Sequence, residues 1–345
     1  MFKSSLALLV FLFFIPTLTL AAEPASSLQV EPIYPEDQVP ETKGYFDVNV
    51  LAGEQMIMQL RLKNNAETPI DVRVEKANAY TSPTGGILYQ FDTDSEDNTL
   101  LDDAVRLADH METEEVVTIP ALESVNVPIQ VTVPDTDGQT LLGGIKVTQV
   151  AEAEEVEDKA GEDEAGEDEA TFAITTETAH VFAIQLNLPT KSEPNFSTGK
   201  AGFLAPTAQV FLELKNDAHL IQGDVEWTYS ILDSAGAQLF EGAVDTFNMA
   251  PKSQIRFPIA WNHEELANGT YTLVADGRAG DQVIAVEEAF EISNEAVEEY
   301  AEVVNPTPVV DEEGGIPIWV WIAAAIVFMI GFGVVMFLVG RRKKS

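Results

Sequence analysis

Along residues 125–133 the chain reads Val125-Asn-Val-Pro-Ile-Gln-Val-Thr-Val133, with an apolar side chain at every second position. That is the period of a strand with one buried face. Pro128 falls on the other face, which predicts an edge strand or a bulge. Met56, Met58, Leu60 and Leu62 alternate with Ile57, Gln59, Arg61 and Lys63. An Asn64-Asn65 turn follows, then Ile70, Val72 and Val74, and a Gly85-Gly86 turn precedes Ile87-Leu88-Tyr89. Only Leu101, Val105 and Ala108 have helical spacing, which predicts one short helix over residues 101–111. Many short strands joined by turns predict a β-sandwich across residues 28–190.

The same patterning returns in residues 191–296. Val225, Trp227, Tyr229 and Ile231 share a face before an Asp233-Ser-Ala-Gly236 turn; Ile255, Phe257 and Ile259 share another. Asn268-Gly269 introduces Tyr271 and Leu273, and Asp276-Gly277 is expected to turn before a last strand near residues 283–292. The expected fold class is all-β: two tandem immunoglobulin-like β-sandwiches. Between strands expected at 143–150 and 180–188, residues 151–170 repeat Ala-Gly-Glu-Asp-Glu at 160–164 and 165–169. Self-repulsion and the scarcity of apolar residues predict a disordered acidic insert in a hairpin connection, with a domain boundary near 155 as the alternative.

The two ends have a different pattern. Residues 1–22 carry Lys3, an apolar stretch over 6–20 and then Ala21 and Ala22, the three parts of a secretory signal. Residues 316–340 contain no charge, enough to cross a hydrocarbon core of roughly 30 Å. Trp319 and Trp321 stand at the start of this run, and Arg341, Arg342, Lys343 and Lys344 follow it in the tail 341–345. That arrangement predicts a transmembrane helix with its basic end in the cytoplasm, hence a single-pass type I cell-membrane protein whose ectodomain is outside. Pro306, Pro308 and Gly314-Gly315 mark residues 297–315 as a polar stalk.

Charge narrows the partners. With 57 acidic against 19 basic residues and a net charge of −38, the chain is repelled by nucleic acid. Hydrophobic residues at 46% still permit cores, and zero cysteines exclude disulfides, thiol chemistry and Cys-based zinc sites. His263-Glu264 lacks the second histidine of a metalloprotease helix, and His110, His180 and His219 are isolated in sequence. Asp92, Asp94, Glu96 and Asp103 occupy positions 1, 3, 5 and 12 of a calcium-type loop, but Asp97 stands where glycine is needed. That segment reads as a solvated acidic loop. Neither a catalytic residue nor a metal or cofactor site is expected. Asn195-Phe-Ser197 and Asn268-Gly-Thr270 have the form of glycosylation sequons. Trp227 reads as core, and Trp261 as core or as an exposed stacking platform.

Several ordered pieces resemble a known family. Val30-Glu-Pro-Ile-Tyr-Pro-Glu-Asp-Gln38, Gly44-Tyr-Phe-Asp-Val-Asn-Val50, Gly53-Glu-Gln55, Leu60-Arg-Leu-Lys-Asn64, Val74-Glu-Lys-Ala-Asn-Ala79, Gly86-Ile-Leu-Tyr89 and Leu142-Gly-Gly-Ile-Lys-Val147 together look like the WxL-interacting proteins of Gram-positive surfaces. His180-Val-Phe-Ala-Ile-Gln-Leu186 and Asn268-Gly-Thr-Tyr-Thr-Leu273 match the style of their second module. The resemblance implies peptidoglycan as a partner of the first module, and a WxL-domain protein or host extracellular-matrix protein as a partner of the second. No Trp-x-Leu occurs in this chain, so the resemblance is to the membrane-held partner. The expected function is a membrane-anchored surface adaptor. Alternatives are an acidic, cation-dependent extracellular spacer and a stalked extracellular hydrolase.

Overall fold

The alternating segments fold as strands whose buried positions are the apolar ones. A computed structural model describes residues 27–91, 94–136, 138–150, 178–263 and 265–304. The expected signal, the acidic run 151–170, the apolar run 316–340, the basic tail and most of the stalk lie outside the described residues. Among the described residues, no helix is long and apolar enough to cross a membrane.

The first module begins with β1 (Leu28–Ile33), β2 (Phe46–Asn49), β3 (Gln55–Asn64), β4 (Ile70–Thr81), β5 (Ile87–Gln90) and β6 (Asn98–Leu100). It continues with β7 (Met111–Glu112), β8 (Val116–Ile119), β9 (Ser124–Thr132), β10 (Thr140–Gln149) and β11 (Ala179–Asn187). One sheet has the order β1-β3-β9-β7; the other is β2-β11-β10-β4-β5, with β8 also on β4. Leu60, Leu62, Ile129, Ile145, Ile184 and Leu186 meet between them with no exposed surface. Each such side chain contributes about 1.5–3 kcal/mol by burial. Pro128 lies on the solvent face, beyond the short reach of β7, so its missing N–H leaves no ladder bond broken.

β10 and β11 pair antiparallel with Thr148 opposite Ala179, so the acidic run joins neighbouring strands of one sheet. In β10 the consecutive Gly143 and Gly144 leave room on both faces. A Cβ on Gly143 would sit 3.0 Å from the Leu107 side chain, and one on Gly144 would sit 3.0 Å from the Tyr89 ring. Burial there pushes the Tyr89 hydroxyl up to about 12.

The second module comprises β12 (Phe196–Leu204), β13 (Gln209–Asn216), β14 (Gln222–Leu232), β15 (Gln238–Met249), β16 (Ser253–Ala260), β17 (Gly269–Ala279), β18 (Gln282–Ile292) and α1 (Asn294–Val304). One sheet is β15-β14-β17-β18; the other is β12-β13-β16, and its last place is taken by β6 from the first module. β6 pairs antiparallel with β16, Thr99 opposite Gln254, and the pairing extends through Arg256 N–H to Asp97 O (3.0 Å) and Leu101 N–H to Lys252 O (2.8 Å).

Three sequence expectations change. The helix over 101–111 reduces to a 3-10 turn at Leu107–His110, because Leu101 is held by strand pairing and the remaining stretch is too short to nucleate. Asp276 and Gly277 lie inside β17, opposite Thr228 and Trp227, and the turn is at Gly280-Asp281. The stalk assigned to 297–315 starts as α1: Ser293 Oγ accepts the Ala296 N–H (3.1 Å), and Ala296 and Val297 pack on the second core.

The modules share a node. Asn64 and Asn216 end the equivalent sequences Leu60-Arg-Leu-Lys-Asn64 and Leu212-Glu-Leu-Lys-Asn216, and both are fully buried. Asn64 Nδ2 donates to Thr68 O (2.7 Å) and Pro120 O (3.2 Å); Asn216 Nδ2 donates to Leu220 O and Ala250 O, both at 2.9 Å. Their Oδ1 atoms accept the N–H of Ala66 (2.8 Å) and Ala218 (3.2 Å). Leu122, at φ 59°, donates to Ala66 O as Lys252, at φ 51°, donates to Ala218 O. Thus β3–β9 and β13–β16 are one structural unit built twice, with Pro128 and Pro258 in matching places.

Candidate binding surfaces

The N-terminal signature residues gather around Asp47. The chain from Tyr34 to Gly44 forms no regular strand; a single bridge of Gln38 with Val48, with Val39 N–H donating to Asp47 O (2.7 Å), and a set of side chains hold it. Asp47 is 7% exposed, and its carboxylate accepts from Thr42 Oγ1 (2.7 Å), Asn187 Nδ2 (2.6 Å) and Gln185 Nε2 (3.2 Å). Gln38 Oε1 accepts the Asp47 N–H (3.0 Å), and Gln38 Nε2 donates to Tyr45 O (3.2 Å). Tyr34 accepts the Gly44 N–H at 2.7 Å and meets Phe46 edge-on. This network fixes β2 parallel to β11.

Two grooves flank the turn that follows. One, about 400 Å³, is lined by Asp37, Asn49, Val50, Leu51, Glu54, Asn187, Leu188 and Pro189. The other, about 680 Å³, is lined by Gln55, Met56, Ile57, Asp109, His110, Glu112, Gln130, Val131 and Thr132. Ile57 is 58% exposed and stands opposite Gln130 on the solvent face of β3 and β9. Amides beside an exposed apolar side chain can donate and accept toward hydroxyl and acetamide groups while covering a sugar's C–H face. Arg61 and Lys63 lie further along that face and form no ion pair among the described residues.

The acidic loop has another role. Among the four candidate calcium ligands, Asp92 lies outside the described residues, and each of the others meets a cation. Asp94 pairs with Arg106, Glu96 with Arg256 (2.7 Å) and Asp103 with Lys252 (2.6 Å). The last two bonds join the modules, so solvation alone does not describe this loop. Lys252 also binds Asp217 (3.1 Å). Hydrogen bonds from Lys252 hold the carboxyls of Asp103 and Asp217 below the usual range, with Lys215 assisting at Asp217. Burial works against the charge of Lys252, but these partners outweigh it and raise its pKa. Ala79, Leu142 and Ala250 form a small apolar core at the same junction, where Thr81 Oγ1 accepts the Ala250 N–H (2.9 Å).

The other candidates are dispersed. His110 borders the larger groove, His180 lies on β11 opposite Val147, and the His219 carbonyl accepts the Gln139 and Thr140 N–H groups at the junction. His263 Nδ1 lies 3.2 Å from Glu265 O; Glu264 lies outside the described residues. Among the described residues, no three or more metal-capable side chains converge. Trp227 is buried, and Trp261 packs edge-on against Phe203, Phe240 and Tyr271 while its Nε1 donates to Glu265 O (3.1 Å), which seats it half-buried against the second core. The groove residues carry no mark in the sequence, because a groove arises from non-adjacent strands. The repeated Leu-x-Leu-Lys-Asn is the available signal for the twin node.

Paired sheets carrying amide-lined grooves have the form of a recognition protein. Residues 28–149 match the family model described as WxL Interacting Protein, peptidoglycan binding domain, and residues 169–302 match WxL Interacting Protein, host binding domain. The chain belongs to the WxL-interacting protein family, and both descriptions are of binding modules. The second match includes β11, which here is a strand of the first sandwich. No curated protein matches in sequence. Similar solved structures include the CsuC–CsuE chaperone–tip adhesion subunit complex of Acinetobacter baumannii, at 11% identity over 78% of this chain and 100% of that one, with a TM-score of 0.36. The E. coli chaperone DraB is 11% identical over 77% and 98% of the two chains, with a TM-score of 0.29.

Proposed function

We propose that this protein is a membrane-anchored adaptor of the cell surface. Residues 1–22 direct export, residues 316–340 anchor the chain as a single-pass type I protein, and the ectodomain faces the wall. The first sandwich binds peptidoglycan and the second docks a secreted WxL protein or a host matrix protein; both are read as immunoglobulin-like. The observation that carries this reading is the succession of two family binding modules in one chain. The larger groove of the first module offers matching chemistry: Gln55, Gln130 and Thr132 for the polar groups of a glycan, and Ile57 for a sugar face.

Retention of the ectodomain on purified wall sacculi tests this. Ile57→Asp and Gln130→Ala alter exposed side chains, so both variants fold, and each is expected to weaken retention about tenfold, equivalent to about 1.4 kcal/mol. Undiminished retention by both variants would move the wall contact elsewhere. Loss of wild-type retention only on adding a chelator would favour the cation-dependent spacer.

A further inference from the structure

The twin units differ at one edge. In the second module the outer edge of β16 is covered by β6, a three-residue strand delivered from outside its own sequence region. The corresponding edge of β9 is residues 122–126. Among the described residues its neighbours are β3 on one side and, on the other, only β7, which pairs further along at Gln130 and Val131.

Polar groups of alternate residues in an antiparallel strand point to opposite neighbours. Arg256, whose N–H reaches Asp97 O, corresponds to Asn126. Asn126, and with it Ser124, therefore points its N–H and C=O groups away from β3. Both residues are exposed. Natural edges are usually guarded by lysine, proline, a bulge or a covering segment. Here Pro128 guards only the far end of the edge.

We propose that the β9 edge at residues 122–126 is a strand-acceptor site for an uncharged extended segment of a partner protein. The segment pairs antiparallel, as β6 does on β16. The charge pattern selects its chemistry. In the second module Lys252 and Arg256 face the acids Asp103 and Glu96 around β6. Their counterparts in the first module are Leu122, 65% exposed, and Asn126, so the edge has an apolar and an amide side chain where the other has cations. On the edge itself an acidic strand meets no cation, Arg61 and Lys63 standing one strand inward on β3 opposite Asn126 and Ser124; a neutral strand with an apolar residue over Leu122 gains a direct contact. A second copy of this chain is disfavoured as occupant, because each copy carries a net charge of −38. Backbone pairing of this kind supplies affinity, with side-chain contacts supplying choice. The proposal is independent of the wall-binding reading, which uses a groove on the face of the sheet.

Amide hydrogen exchange of the full chain in detergent tests it. The probe is a synthetic peptide of residues 95–101 carrying Glu96→Gln and Asp97→Asn. Exchange at Ser124 and Asn126 should slow about threefold once the peptide is at twice its Kd. Val125, whose N–H faces β3, should not change. The unaltered acidic peptide should protect less, and Asn126→Pro should abolish protection. Asn126→Lys, which preserves the backbone, should reduce it and serves if the proline variant does not fold. Exchange at Ser124 and Asn126 unaffected up to the solubility limit of the peptide would overturn the proposal. So would protection of both amides in the free chain together with a dimer in sedimentation, since the edge would then belong to a second copy.

Discussion

Asn64 and Asn216 each organise a turn by donating to carbonyls that no strand satisfies, and each is sealed from water. Removing such a side chain loses its bonds to two or more carbonyls and to one backbone N–H and leaves a void at a buried site, although Ala250 O keeps the Ser253 hydroxyl as a donor. Asn64→Ala and Asn216→Ala should therefore each cost about 2–4 kcal/mol, read as a lower urea midpoint of the ectodomain. A loss below about 0.5 kcal/mol in both, the scale of an ordinary surface substitution, would show that water replaces the amide. Gly85 illustrates a different constraint. Its φ of +93° and the Phe247 ring, 2.8 Å from where a Cβ would lie, bring the turn after β4 directly onto β15. Neither constraint is local. The turn signal in Gly85-Gly86 is readable from sequence, whereas the phenylalanine over it lies 162 positions away.

At the scale of elements, alternation makes most strands legible, because one buried and one wetted face leave a period of two. β3 and β9 are the clearest cases, with every buried apolar position falling in phase. Segments whose conformation is set by distant partners are not legible. β6 has three residues and forms only because β16 presents an open edge, so no local pattern announces it. The same pairing removes the expected helix over 101–111. Pro306, Pro308 and Gly314-Gly315 suggest a polar stalk, although just before them Ser293 and the apolar positions at Val297, Tyr300 and Ala301 mark a capped amphipathic turn.

The clamp around Lys252 gives the junction a pH dependence. Asp103 and Asp217 have depressed pKa values in the folded chain, so their contribution is full above the unfolded carboxylate range, near pH 4, and is lost as pH falls through the folded values. The Leu101 amide, which donates to Lys252 O, reports on this junction. Its hydrogen-exchange protection, corrected for intrinsic rate, should drop between about pH 6 and pH 3, carboxylate titration supplying the window. Lys252→Leu, which installs the side chain that Leu122 carries at the equivalent place in the first module, should flatten that dependence. Equal protection at both pH values in the wild type would mean that strand pairing alone holds the modules.

For the whole molecule, the cross-module strand determines how function can be dissected. Cutting the chain near residue 190 strips β16 of β6, so the two modules are better separated by point variants within the intact ectodomain. The candidate wall-binding groove is not legible in the sequence; only the resemblance of its module to a peptidoglycan-binding one is. Its residues come from β3, β7 and β9 and the turn before β7, and converge only on folding. Charge also acts at this scale. A chain at −38 is repelled by anionic wall polymers, so contact with the wall must rest on short-range hydrogen bonds and shape. Shortening the Debye length from roughly 14 to 4 Å with salt relieves that repulsion without breaking such contacts.

The adaptor role is tested most directly by bridging. A purified WxL protein is mixed with wall sacculi in the presence or absence of the ectodomain, at about 0.05 and 0.5 M salt, a range that spans the change in screening. Sedimentation of the WxL protein should require the ectodomain, persist or strengthen at high salt, and fall with Ile57→Asp. A WxL protein that sediments equally without the ectodomain, or stays in solution with it under every condition, would contradict the adaptor account.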